Sequence, residues 1–375
     1  MKKLHVGVLF GGKSVEHEVS LQSAKNIIEA LNPENYDVTL IGIDKAGGWY
    51  LNEQSHFLLN ADNPTLIQLT QGRDRLALIP GEDRNQLVTR EQGKALGPLD
   101  VVFPVLHGPL GEDGTVQGLL RLADVPFVGA GVLGSAVGMD KEVAKRLLRD
   151  AGLPIARFLT FNAQAARTAS FDQAVTTVGL PMFVKPANLG SSVGIRKVHN
   201  AVGIRKVHNA AEFLPAITDA FQYDRKILIE EFIEGREIEC AVIGNADPIA
   251  SLPGEIVPQH EFYSYEAKYI DEHGALLEIP ARLPQPVIAR VQALAVEAFR
   301  VLCCEGMARV DFLLRGGDEA ILNEINTIPG FTRISMFPKL WEVSGLSYAA
   351  LLDRLIELAI ERYAAEKRLK TSVEL

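Results

Sequence analysis

Apolar positions along this chain follow two rhythms. In Leu4–Phe10 (LHVGVLF) and Tyr36–Asp44 (YDVTLIGID) they run almost unbroken, as in strands buried on both faces. Between them, Ser20–Leu31 (SLQSAKNIIEAL) repeats at helical spacing until Asn32-Pro33 stops it. Strand, helix and strand in that order predict a parallel sheet with a right-handed crossover. Asp100–Leu106 and Val125–Val128 read as two further strands. Residues 52–98 are polar and broken by Gly and Pro, with short β-like runs such as Leu76–Ile79, and read as a long excursion.

Beyond residue 130 the rhythm changes. Lys141–Ala151 reads as a helix closed by Gly152, and Leu180–Lys185 as a strand stopped by Pro186. Ile227–Ile233 and Ile238–Ile243 are expected to pair around Glu234-Gly235, and Met307–Leu314 with Ala320–Asn326 around Gly316-Gly317. Ser347–Lys370 is a long amphipathic helix with Lys367, Arg368 and Lys370 in its last turn, where positive charge suits the helix dipole. The expected architecture is an α/β domain with a parallel sheet over residues 1–130, followed by two α+β lobes over 131–230 and 231–375.

One segment breaks every pattern. Val193–Ala201 reads VGIRKVHNA, and Val202–Ala210 repeats it without change. Two nine-residue copies are too short and too few for a solenoid. Only one copy can fill a given strand, so a protruding loop or hairpin is expected within 193–210.

Composition narrows the function. Lys+Arg total 38 against 47 Asp+Glu, a net charge of −9, which argues against a phosphate-backbone binder and hence against a nucleic-acid partner. The three cysteines (Cys240, Cys303, Cys304) offer neither a disulfide framework nor zinc-ligand spacing and fit a reducing compartment. No signal-peptide pattern and no apolar run of about 20 residues is visible, so no membrane association and a cytoplasmic location are expected.

Two nucleotide motifs match on paper. Gly7–Ser14 satisfies GxxxxGK[ST], but Val8, Leu9 and Phe10 continue a strand, which leaves the loop too short to encircle a phosphate. Gly129–Gly134 satisfies GxGxxG but lacks the acid closing a second strand about 20 residues on. A P-loop NTPase and a nicotinamide-dependent oxidoreductase are therefore the rival expectations.

A stronger constellation lies near the C-terminus. Arg309 and Asp311 share one strand face, and Glu324 and Asn326 share another. A four-residue loop at Gly316–Glu319 would set Asp311 across from Glu324 and Arg309 across from Asn326. Two carboxylates and an amide oxygen then form an all-oxygen site suited to Mg²⁺, with Arg309 left to hold an anion. A solvated Arg–carboxylate ladder is the plainer alternative. Pro329-Gly330 turns the chain directly afterwards. Upstream, Lys185 ends a strand before Asn188–Gly194 (NLGSSVG), whose small residues suit phosphate-binding amides. Lys141 opens a helix, an odd place for a cation unless an anion binds there. Glu230, Glu237 and Glu239 flank the neighbouring strands, as ribose acceptors or as plain edge carboxylates.

Together these residues resemble the ATP-grasp ligases and, within them, the D-alanine–D-alanine ligase family. The matching stretches are Gly11–Ser20 (GGKSVEHEVS), His107–Gly114 (HGPLGEDG), Met139–Lys141, Lys185-Pro186 with Gly190–Gly194, Tyr263–Tyr269 (YSYEAKY), Arg309–Asp311 and Asn323–Gly330 (NEINTIPG). They span nearly the whole chain in the family's order. The resemblance implies that two lobes grasp ATP and that two D-alanines are joined through an acyl phosphate, for peptidoglycan precursors; a D-alanine–D-lactate ligase or another ATP-grasp carboxylate–amine ligase is the runner-up. It implies Lys141, Lys185 and Lys268 at the phosphates, Glu230 and Ile233 at adenine, Glu237 at ribose, and Asp311, Glu324 and Asn326 on two Mg²⁺ (or Mn²⁺) ions. It further implies Glu16 at the first D-alanine's ammonium, in a triad with Ser191 and Tyr269, and His107 nearby. Arg309 and the Gly330 amide fall at the oxyanion, and Ser335 and Met336 at the second carboxylate. Residues 262–271 are expected to form a mobile lid, with Tyr269 favouring D-alanine over D-lactate. A homodimer is expected, with Ser20–Leu31 a candidate for the two-fold contact.

Overall fold

The computed structural model describes residues 3–64, 66–72, 74–81, 85–164, 169–189, 204–258 and 275–370. The unbroken apolar runs become strands buried on both faces. β1 (Leu4–Gly11) and β2 (Tyr36–Ile43) are parallel, and β3 (Trp49–Asn52) turns back antiparallel beside β2. The excursion supplies two ribbons, β4 (Leu58–Leu59) with β5 (Gln68–Leu69) and β6 (Leu76–Leu78) with β7 (Leu87–Thr89). β8 (Val101–Val105) then returns parallel to β1, giving the order β3-β2-β1-β8.

Gly7 sits inside β1 opposite Thr39 and Val102, which disposes of the P-loop. Val125–Val128 is not a strand but touches the sheet through one parallel bridge, Val102 with Phe127. Pro126 has no N–H to donate, and Gly129, at φ 93°, turns the chain away.

Helix α1 (His17–Ala30) starts three residues earlier than its apolar spacing suggests. Its Leu21, Ala24, Ile27 and Ile28 are buried with Val6, Val8 and Phe10 of β1. That face is packed inside the chain, so only the remaining face of the helix is open to the two-fold contact expected of it. Then follow α2 (Thr115–Leu122), α3 (Val132–Met139) and α4 (Lys141–Asp150). The GxGxxG glycines open α3, where a Cβ on Gly134 would stand 2.4 Å from the Cys303 carbonyl oxygen. Close helix packing, not a dinucleotide, accounts for that glycine.

The second sheet has the order β11-β10-β12-β9 and is antiparallel throughout: β9 is Phe158–Asn162, β10 Met182–Pro186, β11 Arg205–Val207 and β12 Lys226–Glu231. Helices α5 (Phe171–Val178) and α6 (Ala210–Ala220) cover one face with Ala174, Val178, Phe213 and Ile217 over Val184, Ile227 and Ile229. Edge strand β11 comes from the second VGIRKVHNA copy. Arg205, Lys206 and Val207 face Val184, Phe183 and Met182. The first copy, and with it most of the protrusion expected in 193–210, lies outside the described residues.

The third sheet runs β16-β15-β13-β17-β18, with β14 beside β13. Its strands are β13 (Gly235–Gly244), β14 (Ile249–Ala250), β15 (Gly254–Pro258), β16 (Ala275–Glu278), β17 (Gly306–Arg315) and β18 (Glu319–Asn326). Helix α7 (Gln285–Val301) packs one face. The other face joins α8 (Met336–Val343), α9 (Tyr348–Lys367) and the apolar side of the first sheet in one core. The expected pairing of 227–233 with 238–243 is wrong. β12 already has β10 on one edge and β9 on the other, so the chain leaves through 232–234 and starts a new sheet at Gly235.

Among the described residues no helix is long and apolar enough to cross a membrane. The long C-terminal helix ends at Lys367, capped at its start by Ser347. Its buried Arg362 donates to the carbonyls of Gly129 and Phe127 and lies 4.5 Å from the Phe127 ring centroid. Arg362→Met leaves two buried carbonyls unmatched, so it should cost about 2–4 kcal/mol. A lowered midpoint of urea unfolding checks this; an unchanged midpoint contradicts it.

Candidate active site

The site is built on the β17–β18 hairpin. Asp311 faces Glu324 and Arg309 faces Asn326, as the spacing predicts, but by a different route. The loop has three residues, Gly316 to Asp318, because Arg315 pairs with Glu319. A bulge restores the register, since Phe312 pairs with Leu322 while Asp311 pairs with Glu324, leaving Asn323 extra. The bulge also lets Leu322 and Ile325 share one core although they lie three residues apart.

Strand β13 extends the row, with Glu239 opposite Asp311. Three carboxylates thus lie abreast, and cations answer them. Arg309 grips Asp311 with Nε and one terminal nitrogen, each at 2.7 Å, and its Nε lies 2.9 Å from Glu239. Asn326 Nδ2 donates to Asp311 Oδ2 at 3.0 Å. Lys141 Nζ lies 3.1 Å from Glu324 and donates to the Leu189 carbonyl at 3.0 Å. Burial opposes the Lys141 charge, but Glu324, Glu112 and Glu230 outweigh it and hold its pKa above the usual lysine range. Lys141 is first in its helix because Asp140 caps it, accepting from the Glu142 and Val143 amides.

Beside this hairpin, Glu230 on β12 is 3% exposed and contacts both Lys185 and Lys145. Burial alone would raise the Glu230 pKa, but the two ammonium groups hold it below the usual carboxylate range. With two lysines to one carboxylate, burial pulls Lys145 below its ordinary value. One surplus positive charge is left, which suits a phosphate. Sequence reasoning missed Lys145, 1% exposed. The signal was present: it follows Lys141 by four residues on one helix face, in the stripe with Ala144 and Leu148. Glu230 is expected in the adenine-binding stretch, and its carboxylate lies between the two lysines. Ile233 is buried in a small apolar cluster with Ala156 and Ile321. Glu237, half-buried, lies two residues from Glu239 on the same strand face.

The first domain closes the site from above. Glu16, 3% exposed, ends the glycine turn before α1, and its Oε2 stands 2.7 Å from where a Cβ on Gly108 would be. Gly108, at φ 74°, is glycine on both counts. Its amide donates to Glu112 Oε2 at 2.6 Å. Burial and then Glu16 push the Glu112 carboxyl up to about 8, against the Gly108 and Ile328 amides and Lys141. Glu112 was quoted within HGPLGEDG but given no role. His107, expected beside the first amino acid, has both ring nitrogens on the protein: Ile328 O at 3.1 Å and Ser23 Oγ at 3.3 Å. Ser335 is buried at the N-cap of α8, its Oγ turned to Thr332, and Met336 opens that helix. Gly330 lies buried in the turn after β18. Ser191, Lys268, Tyr269 and the lid over 262–271 lie outside the described residues.

Among the described residues no group of three or more His, Cys, Asp or Glu side chains is arranged to hold a metal. Asp311, Glu324 and the Asn326 oxygen nevertheless fit Mg²⁺, which is commonly bound through one or two carboxylates together with substrate phosphates.

Two family models match in succession: "D-ala D-ala ligase N-terminus" over residues 5–130 and "D-ala D-ala ligase C-terminus" over 147–357. The chain is 58% identical over 373 residues to a D-alanine–D-alanine ligase of Shouchella clausii, covering 100% of this chain and 99% of that one. Its fold matches the D-alanine–D-alanine ligase structure from Coxiella burnetii with TM-score 0.83 and 38% identity, over 98% of this chain and 97% of that one. A D-Ala:D-Ser ligase structure from Enterococcus faecalis matches with TM-score 0.82 and 34% identity, over 96% and 100%.

The raised Glu112 carboxyl sets a pH dependence. The folded state keeps a proton that the unfolded chain releases near 4.5, so this contribution is complete below 4.5 and is lost as pH rises to about 8. Glu112→Gln should remove that decline. Urea midpoints from pH 4.5 to 9 measure it, and equal slopes in both proteins would refute the assignment.

Proposed function

The chain belongs to the D-alanine–D-alanine ligase family, and from that premise we propose how its cleft joins two D-alanines with ATP through an acyl phosphate. The observation that carries this reading is Lys141, whose Nζ spans the Leu189 carbonyl and Glu324. It thereby links the start of the small-residue loop to the oxygen-ligand hairpin. A cation at that junction meets a nucleotide's terminal phosphates.

In this reading adenine rests on Ile233, Ile321 and Ala156, with Glu237 at the ribose. Lys141 and Lys185, joined by Lys268 from the lid, hold the phosphates. Glu230 orients Lys185, and Lys145 offsets its charge from behind. Asp311, Glu324 and Asn326 would hold two Mg²⁺ or Mn²⁺ ions, which neutralise charge during phosphoryl transfer. Glu16, supported by Ser191 and Tyr269, takes the first D-alanine's ammonium. A carboxylate is a poor electrophile, so the γ-phosphoryl is moved onto it before the second amine attacks. Arg309 and the Gly330 amide then stabilise the oxyanion, in a site where preset dipoles act at low dielectric. Ser335 and the Met336 amide receive the second carboxylate at the start of α8, a favourable place for an anion. Closure of the lid excludes water from the acyl phosphate. A homodimer belongs to the same reading, and sedimentation equilibrium measures it.

Phosphate release from ATP should require D-alanine and Mg²⁺ and yield D-alanyl-D-alanine. Arg309→Ala should lower kcat by about 100-fold or more, with fold checked by circular dichroism. Release without D-alanine, preference for D-lactate or D-serine, or full activity in a folded Arg309→Ala protein would overturn the proposal.

A further inference from the structure

The turn that carries Gly330 is held from outside its own lobe. The Ile328 carbonyl can only accept, so His107 carries its proton on Nδ1 and donates there at 3.1 Å. Nε2 is then the acceptor, and Ser23 Oγ at 3.3 Å is its donor. The same Ser23 oxygen accepts from the Phe331 amide at 3.2 Å. The Ile328 amide lies on the Glu112 side of the turn and favours the charged form of that carboxyl. The Phe331 carbonyl accepts from Asn26 Nδ2 at 2.9 Å and from the Tyr348 hydroxyl at 3.0 Å. The Ile328 carbonyl and both polar groups of Phe331 are therefore taken, and Pro329-Gly330 lies between these fixed points. Of the five side chains involved, four (Ser23, Asn26, His107 and Glu112) come from the first domain.

A neutral ring that donates from Nδ1 accepts from Ser23 at Nε2, whereas a protonated ring would donate to the same hydroxyl oxygen. Burial and then the Arg309 charge, against the Ile328 carbonyl, bring the His107 pKa down to about 4, which keeps the ring neutral. Glu16 and Lys141 are the charged groups facing Glu112 from the glycine turn and from α4.

We propose that Ser23, His107 and Glu112 are positioning residues that aim the Gly330 amide, so that the N-terminal domain sets the oxyanion-binding geometry of the C-terminal lobe. This rests on the oxyanion role given to Gly330 above. A backbone donor is only as useful as its placement, and a displacement of about 1 Å can cost about 100-fold in rate. His107 thus acts through the turn and does not touch substrate, and Glu112 acts with it.

Three kinds of substitution test the relay. Glu112→Leu removes the carboxyl that holds the Gly108 amide beside the Ile328 turn, whereas Glu112→Gln keeps one oxygen. His107→Ala removes both ring contacts, whereas His107→Asn keeps a donor near Nδ1. Ser23→Ala breaks the link to Phe331. The expected result is a kcat lower by about 10-fold or more in the Leu and Ala variants. KM for ATP and for D-alanine should change much less than kcat, since a misplaced oxyanion donor weakens the transition state more than the ground state. Affinity for a phosphinate analogue of the tetrahedral adduct should fall in parallel with kcat, and the Gln and Asn variants should recover part of both. A raised KM for D-alanine at unchanged kcat would make these residues substrate ligands and overturn the proposal, as would unchanged kcat and analogue affinity in folded variants.

Amide hydrogen exchange at Ile328 and Phe331 separates this proposal from the function it rests on. Both amides should be protected in the unsubstituted protein and exchange faster in Glu112→Leu and Ser23→Ala respectively. Unchanged protection would refute the relay even if ligase activity holds. Lost protection in a protein with no D-alanine-dependent turnover would refute the proposed function and leave the relay as the turn's support.

Discussion

A row of carboxylates across three strands constrains everything around it. Glu239, Asp311 and Glu324 stand side by side because β13, β17 and β18 pair in one register. Like charges so close repel and are costly to bury, so the chain must deliver cations to them. Arg309 comes from the row's own strand, Lys141 from a capped helix, and Lys145 and Lys185 meet the neighbouring Glu230. The cations and the acids of the cleft thus neutralise one another. On the proposed function, phosphate and divalent ions entering together would each replace an internal partner with an external one, so the charge of the cleft need not change.

The hairpin was legible because β-strand alternation is a strict rule: residues two apart share a face, and a turn fixes which residues meet. The route was not legible. The short loop and the bulge at Asn323 cancel, so a correct alignment came from an incorrect loop length. The 227–233 and 238–243 pairing failed for a related reason. Glu234-Gly235 has the chemistry of a turn, but whether a strand's edge is free depends on what lies on its other side, and β9 comes from far upstream. Val125–Val128 has the apolar content of a strand, yet Pro126 and the left-handed Gly129 allow one bridge.

Buried charge was the least legible feature. Lys145 and Glu112 look like surface residues under the general rule that such groups avoid the core. Only their partners make their positions tenable, and those partners lie far away along the chain. The same holds for His107. The resemblance puts it near the first amino acid, and both of its ring nitrogens have protein partners, Ser23 and the Ile328 carbonyl. Side chains that act through backbone leave little trace in sequence, because their targets have no identity there.

The duplicated VGIRKVHNA carries a consequence at the level of the gene. Excising Val193–Ala201 or Val202–Ala210 yields one and the same polypeptide, so neither copy can be designated the original by mutagenesis. The shortened chain would still offer Arg, Lys and Val to the edge of β10, while the stretch between Leu189 and β11 would fall from fifteen residues (190–204) to six. For a segment closing between fixed ends, that change in length is worth only about 0.8 kcal/mol of closure entropy. Nine residues more or fewer are therefore thermodynamically cheap to close at this location.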